Sequence, residues 1–590
     1  MRKFFSGEKK PFIWPAIAGV LLILFIILHE ILIYKSFVVD FEGNFRTTGA
    51  GFGDIPFHLT QVSKFAFHSF SFDNPIFTGT QLNYSFAVNL LSGWLLRLTG
   101  SWSGSFNLPV MVFAASSAIL VFFIYRRLLS SAISALFALV LFYFGGGWGA
   151  YGVFYEQVIG NHLGFLEFFK FLITKNISPL LKWGAVYPEQ NIVWGAPLAL
   201  VFLHQRSFIM GFFVFALVLW LWARDPDFKN KKTVFGAAIL IGLSPLIHIY
   251  TFIILLGFLS VLCACKLFLK ESVVFRNVLA VFGVSVLAAL PQLYYLFSNM
   301  REGGKFFLAF RFGWMAQPTI GSVVYPVSGG WAQDFFAYLK FLWMNLGLLL
   351  PFFIISGIFL YYAGRKPFVR GKFAGKYREF VFWWLTAFAI FVLLQTVRLQ
   401  PWDFDNNKLI VYFAFFCAPV IVAMFGYFYD KYKLPAGIFF GVYFFLSTVT
   451  GVLDVLPRLF VPMQNLPIIF TAEDRALAEF IRASVPEEAF ILTSQTMLNP
   501  VVSLAGRPVL AGYGGWLWTE GIPSWEREEE IKRFYSDPQA NNYMLKKYGI
   551  VFVLLDSQAV NEWHASRQQF DALYTKIFST ERSVLYKIDK

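Results

Sequence analysis

The chain has 590 residues, of which 57% are hydrophobic, 20% aromatic and only 14% charged, against roughly 25% charged in soluble domains, so an ordinary soluble protein is excluded. The formal charge of +14 does not point to nucleic acid: residues 457–590 hold 14 Lys and Arg against 16 Asp and Glu, and the surplus, 35 against 19, lies wholly in residues 1–456. Cys263, Cys265 and Cys417 all sit inside apolar runs, which excludes a disulfide framework or thiolate metal site in the polar tail.

Continuously apolar runs long enough to cross about 30 Å of hydrocarbon predict helical spans, and the lack of alternating polarity argues against a barrel. Eleven spans are expected, near 11–34, 107–125, 132–147, 208–223, 234–247, 250–265, 277–298, 341–362, 379–397, 409–428 and 434–455. The first reads as a retained anchor, because no small-residue cleavage pattern follows it. With a cytoplasmic N-terminus, the inner connections carry 21 Lys and Arg in 58 residues and the outer ones 14 in 185. That is the direction of the positive-inside rule. The expectation is therefore a plasma-membrane protein with its N-terminus cytoplasmic, and with every long loop and the C-terminal domain extracytoplasmic.

The first outer loop contains GFGDIPFHLTQV. Asp54 begins a helical pattern in which Ile55, Leu59, Val62 and Ala66 form an apolar stripe expected to lie in the membrane interface, while Asp54, His58 and Gln61 share another face. Asp54 equally suits a capping role ahead of Pro56. In the second outer loop Glu189 lies among aromatic and amide residues in YPEQN, and His204, Gln205 and Arg206 interrupt an apolar stretch before the fourth span, where polar groups need partners or a cavity. His248 sits between two spans. Arg398 ends one span and Lys408 opens the next, with Asp403 and Asp405 between them in PWDFDNNK. This is the densest polar site of the membrane half, and a snorkelling anchor would account for it as well as a binding site.

From residue 457 the character changes to charged amphipathic helices alternating with AFILTS, RPVLAG, IVFVLLD and SVLYKI, which predicts a separate α/β domain over 457–590. No Walker loop, GxGxxG or zinc-ligand spacing is present there. The stretch GYGGWLW suits a loop on the membrane domain or an aromatic belt.

The interfacial loop helix with its acidic residue in GFGDIPFHL, the many spans with outer loops, and the segments HIYTF, PWDFDNNK and LAGRPVLAGYGGWLWTEGI together resemble polytopic glycosyltransferases of the GT-C superfamily, which take sugars from polyprenyl-phosphate carriers. The resemblance implies a GT-C-like transmembrane domain over 1–456 and an inverting transfer of a hexosyl or pentosyl group to an extracytoplasmic acceptor. It makes Asp54 the general base, with His58 orienting it or binding a sugar hydroxyl. Lys408, Arg398 and Arg206 become candidate phosphate ligands; Gln205, Asp403, Asp405, Glu189 and His248 complete the candidate substrate contacts. No DxD motif occurs in the first loop; no residue is assigned to a metal and a divalent metal requirement stays open. The partners implied are the lipid-linked donor, the acceptor and the bilayer. A carrier that moves a lipid-linked sugar without making a bond, and a noncatalytic assembly subunit, are the competing classes.

Overall fold

The computed structural model describes residues 13–48, 51–174, 192, 194–297, 308–310, 312–313, 331–365, 372–400 and 403–588. In chain order the helices of residues 1–461 are α1 (Ile13–Ser36), α2 (Asp54–Phe67), α3 (Ala87–Thr99), α4 (Trp102–Leu129), α5 (Ala132–Phe144), three short helices α6 (Gly149–Phe154), α7 (Phe165–Thr174) and α8 (Pro197–Leu200), then α9 (Arg206–Arg224), α10 (Lys231–Leu243), α11 (Ile249–Phe268), α12 (Ser272–Leu296), α13 (Trp331–Leu346), α14 (Leu349–Arg365), α15 (Lys372–Thr396), α16 (Lys408–Tyr432) and α17 (Leu434–Phe460). Each expected span falls on one of these helices or, for 341–362, on the pair α13 and α14. Among the described residues eight helices are long and apolar enough to cross a membrane, and nine spans result if the bent pair Phe335–Leu346 and Leu349–Gly364, with 96° between its halves, is one. The protein is an α-helical polytopic membrane protein.

The chain divides into two compact units: a membrane unit of Met1–Ile33, Met111–Leu290 and Phe307–Val461, and a polar unit of Tyr34–Val110, Pro291–Phe306 and Pro462–Lys590. The polar tail thus shares its unit with the first loop.

In the membrane unit α16 is buried along nearly its whole length, as expected of a helix that is apolar on every side. Phe212 and Phe142 stack at 5.6 Å between ring centroids, and Phe415 of α16 meets both edge-on, the geometry that ring quadrupoles favour. Two-residue strands β3 (Ala309–Phe310) and β4 (Val397–Arg398) pair antiparallel.

The polar unit has two sheets. Strands β1 (Phe37–Val39), β2 (Phe45–Thr47) and β5 (Ile468–Phe470) pair antiparallel in that order, so the first loop and the tail share one sheet. The second has the order β6 (Phe490–Leu492), β7 (Ile550–Leu555), β9 (Val584–Lys587), β8 (Thr575–Ser579); β6 and β7 are parallel and the rest antiparallel. Helices α18 (Ala472–Ser484), α19 (Pro500–Ser503), α20 (Gly514–Thr519) and α21 (Trp525–Ser536) complete the α/β arrangement read from the sequence, with two differences. The RPVLAG segment does not enter the sheet, because its backbone is taken by residues 75–78: Val509 N–H donates to Pro75 O and Gly512 N–H to Ile76 O. The end of NEWHASRQQFDALYTKIF (561–578), which reads in the sequence as one of the charged helices, lies in β8 instead, because pairing with β9 overrides local helical character.

Candidate functional site

In the polar unit, Asp54 is the first residue of α2 and Gly53 is its cap, with no side-chain cap bond. A carboxylate in the first turn is favoured by the helix dipole. The stripe Ile55, Leu59, Val62 and Ala66 does not lie in a membrane interface as expected: these residues are 0–2% exposed and belong to the core of the polar unit. Every residue from Ile55 to Ala66 is buried, because α2 is clamped on two sides. A Cβ added at Gly93 of α3 would stand 2.6 Å from Phe65 Cβ and 2.9 Å from Val62 O, and one at Gly506, whose φ is +72°, 2.8 Å from the Ser63 backbone. Ser63 Oγ also donates to Ser503 O at 2.5 Å.

His58 is 2% exposed. Its Nδ1 lies 3.0 Å from Asn89 Nδ2, which also donates to Gln61 Oε1 at 2.8 Å, so one ring nitrogen is engaged in joining α2 to α3. Around the first turn of α2, Phe57 meets Tyr84 at 4.8 Å and Trp516 at 5.3 Å between centroids, which brings the GYGGWLW segment to the helix. The loop after β6 also reaches this turn, since a Cβ at Gly53 would lie 4.0 Å from Met497 Sδ. Sequence reading could not anticipate this approach, because Met497 is more than 400 positions from Gly53.

In the membrane unit, the N-terminal ends of α9, α11 and α16 converge. His248, the cap residue of α11, packs edge-on against Phe208 of α9 at 5.3 Å; Phe208 lies 5.6 Å from Tyr412 of α16, whose hydroxyl shares a 2.8 Å bond with Thr251 of α11. Lys408 opens α16; its Nζ is 3.3 Å from Asp405 Oδ1 and 5.9 Å from the Tyr250 ring centroid. Tyr250 donates to Asn406 Oδ1 at 3.3 Å and stacks on His248. Arg206, first residue of α9, is 3% exposed, so it is a buried cation and does not snorkel to a surface.

Two further charges belong to the same end. Arg458 Nη2 is 3.5 Å from Asp454 Oδ1, both in the last turns of α17 and nearly inaccessible. Arg458 and Lys408 both act on His204, whose imidazole is held down at about 3 by burial first and by these two cations next. His248 is likewise pushed well below its ordinary value, by burial and then by Lys408. Both imidazoles are therefore neutral, and the cations of this end are Lys408, Arg206 and Arg458, of which Lys408 faces Asp405 and Arg458 faces Asp454. The Asp454–Arg458 pair went unread in the sequence, although two opposite charges four residues apart in an apolar run are the signal for it.

Of the other candidates, Gln205 is the cap residue of α9 without a side-chain cap bond, and Arg398 is half-buried in β4 opposite Ala309. Asp403 opens a short 3-10 turn, its side chain being outside what is described, and Glu189 lies outside the described residues. Among the described residues no three His, Cys, Asp or Glu side chains gather as a metal site.

The class of protein defined by these features is a polytopic helical membrane protein with charged side chains gathered at one end of its membrane unit and a clamped helix that opens on Asp54 in its polar unit. No protein-family model and no curated protein sequence matches the chain. Among solved structures it is similar to the Archaeoglobus fulgidus oligosaccharyltransferase tethered to an acceptor peptide containing the NVT sequon, with 12% identity, a TM-score of 0.47, and coverage of 97% of this chain and 74% of that one. Another crystal structure of that enzyme contains zinc and sulfate. It is also similar to ArnT from Cupriavidus metallidurans bound to undecaprenyl phosphate, with 12% identity, a TM-score of 0.45, and coverage of 96% and 97%. At this distance the neighbours lend no weight to a function, which rests on the chain's own residues.

Proposed function

We propose that this protein is an integral-membrane glycosyltransferase that moves a hexosyl or pentosyl group from a polyprenyl-phosphate donor to an extracytoplasmic acceptor, with its N-terminus cytoplasmic. The observation that carries the reading is the convergence of three helix N-termini with Lys408, Arg206 and Arg458 beside neutral His204 and His248. Helix N-termini and desolvated cations stabilise a phosphate that gains charge as it leaves. Arg398, Gln205, Asp403 and Asp405 are the remaining candidate donor contacts, and Glu189 a candidate sugar contact.

In the step itself, the acceptor oxygen bonds to the anomeric carbon as its proton passes to the Asp54 carboxylate, and the carbon–oxygen bond to phosphate breaks with its electron pair on the lipid phosphate. One base on one face gives inversion. His58, held by Asn89, positions the first turn of α2. The bent pair α13–α14 favours a second reading, a carrier of lipid-linked sugar, since broken helices line transport sites.

The test is discharge of a labelled polyprenyl-phosphate sugar by the purified protein in nanodiscs. Release of free lipid phosphate with appearance of a glycosylated product supports transfer. Movement of intact donor between leaflets without discharge establishes the carrier instead.

A further inference from the structure

Within the polar unit the GYGGWLW segment is held rigidly. Gly512 N–H donates to Ile76 O at 2.7 Å. Arg527 Nη1 donates to Thr78 O at 2.8 Å and to Leu510 O at 3.0 Å, and its guanidinium lies 3.9 Å from the Phe77 ring centroid. A Cβ at Gly515 would stand 2.5 Å from Tyr513 Cε1, so only glycine leaves room there for the Tyr513 ring, which meets Trp516 edge-on at 5.5 Å.

The contacts continue from Trp516 to Phe57 and from Phe57 to Tyr84. Tyr513, Trp516, Phe57 and Tyr84 therefore form a row of rings that runs into the first turn of α2, which Asp54 opens. The row is not sealed into the core: Tyr513 is 39% exposed, and Trp516 and Tyr84 are half-buried. Two buried polar atoms on the same segments have no hydrogen-bond partner among the described residues. One is Oε1 of Glu520, a helical turn beyond Trp516, whose Oε2 accepts from Asn74 Nδ2. The other is Nε2 of Gln495, in the loop that carries Met497 to Gly53. Buried polar groups are satisfied in about nine cases of ten, so an amide donor and a carboxyl oxygen wait here for a ligand. An acyl chain serves neither. A sugar hydroxyl serves both, because it donates and accepts, and the C–H faces of a sugar ring suit the electron-rich faces of aromatic rings. A polypeptide brings the polar groups without those repeated flat faces.

We propose that the acceptor is a saccharide, seated on the row Tyr513, Trp516, Phe57 and Tyr84 with its attacking hydroxyl toward Asp54. This rests on the glycosyltransferase reading and names the acceptor class that reading leaves open. The acceptor sugar's hydroxyl oxygen bonds to the donor's anomeric carbon and gives its proton to Asp54, while the lipid phosphate leaves with the electron pair of the broken bond. Rings fixed before binding lose little freedom when the ligand arrives, and a few polar groups among aromatic side chains fix its orientation.

The experiment supplies labelled polyprenyl-phosphate sugar to the full-length protein in nanodiscs, with three acceptor fractions taken from native cell envelopes: free saccharide, delipidated protein and lipid. Label is expected in the saccharide fraction, on a sugar hydroxyl by linkage analysis. Label on an amino-acid side chain or a lipid headgroup, or released to water with all three fractions, overturns the proposal while donor discharge stands. Donor left intact with every fraction ends the glycosyltransferase reading itself. Tyr513→Ala is expected to raise the half-saturating concentration of the saccharide fraction by about tenfold, the value of one aromatic contact, with Tyr513→Phe close to wild type. Tyr543→Ala removes an exposed ring outside the row and stays within about twofold. A half-saturating concentration unmoved by Tyr513→Ala overturns the seat on this row.

Discussion

Among individual residues, Asp54 carries the sharpest expectation. Asp54→Asn keeps the first-turn geometry and removes the proton acceptor, so sugar transfer falls about 10²- to 10⁴-fold with unchanged thermal stability; transfer at the wild-type rate rejects it as the base. Arg458 needs more care, because removing it alone leaves Asp454 buried without its cation. The neutral pair Asp454→Asn with Arg458→Met is the informative variant, and donor binding is expected to weaken by about 10- to 100-fold, the value of a charge-assisted contact. Glu520 supplies a pH dependence. Burial pushes its carboxyl up to about 7, partly offset by the bond from Asn74 Nδ2 at 2.9 Å. Between about 4.5 and 7 the folded state therefore binds more protons than the unfolded one, so stability falls as pH rises through that window and stays low above it. Glu520→Gln is expected to remove this slope from a series of melting curves and to raise Tm at pH 8.

For helices, close packing decides both units. A Cβ at Gly211 of α9 would stand 2.5 Å from His248 Cβ and 2.5 Å from Thr251 Oγ1, so Gly211→Val drives α9 from α11 and spreads the cationic end. Transfer is expected to drop on the order of 10²-fold, the sensitivity of a positioned site to a shift of about 1 Å. In the polar unit Gly93→Leu overpacks the α2–α3 contact and costs about 1–3 kcal/mol or more, read as a lower melting temperature of the detergent-solubilised protein. Both glycines look ordinary in the sequence. Their importance depends on what lies opposite, and for Gly211 that is a residue 37 positions away in the next span but one.

At the scale of the molecule, the distribution of Lys and Arg sets the expected topology. An alkaline phosphatase fusion at residue 590 is expected to be active only when exported, and a fusion after residue 228 to be inactive, as the distribution of Lys and Arg requires. The reverse pattern would move residue 590 to the cytoplasm and end the extracytoplasmic reading.

The sequence by itself determined the membrane class, the positions of the helices and the presence of an α/β tail, because lipid demands long apolar runs that are local in the chain and strands announce themselves by composition. It also marked Asp54, Arg206, His248 and Lys408 as polar interruptions. Contacts in the folded chain settled that the apolar stripe of α2, expected at a membrane interface, is core. The tertiary structure alone brought Lys408 and Arg458 within electrostatic reach of His204, set the 490–520 segment around α2, and drew 575–579 into a sheet. Those outcomes depend on contacts between residues far apart in sequence, and a periodic pattern records that a face is apolar without recording whether protein or lipid will cover it.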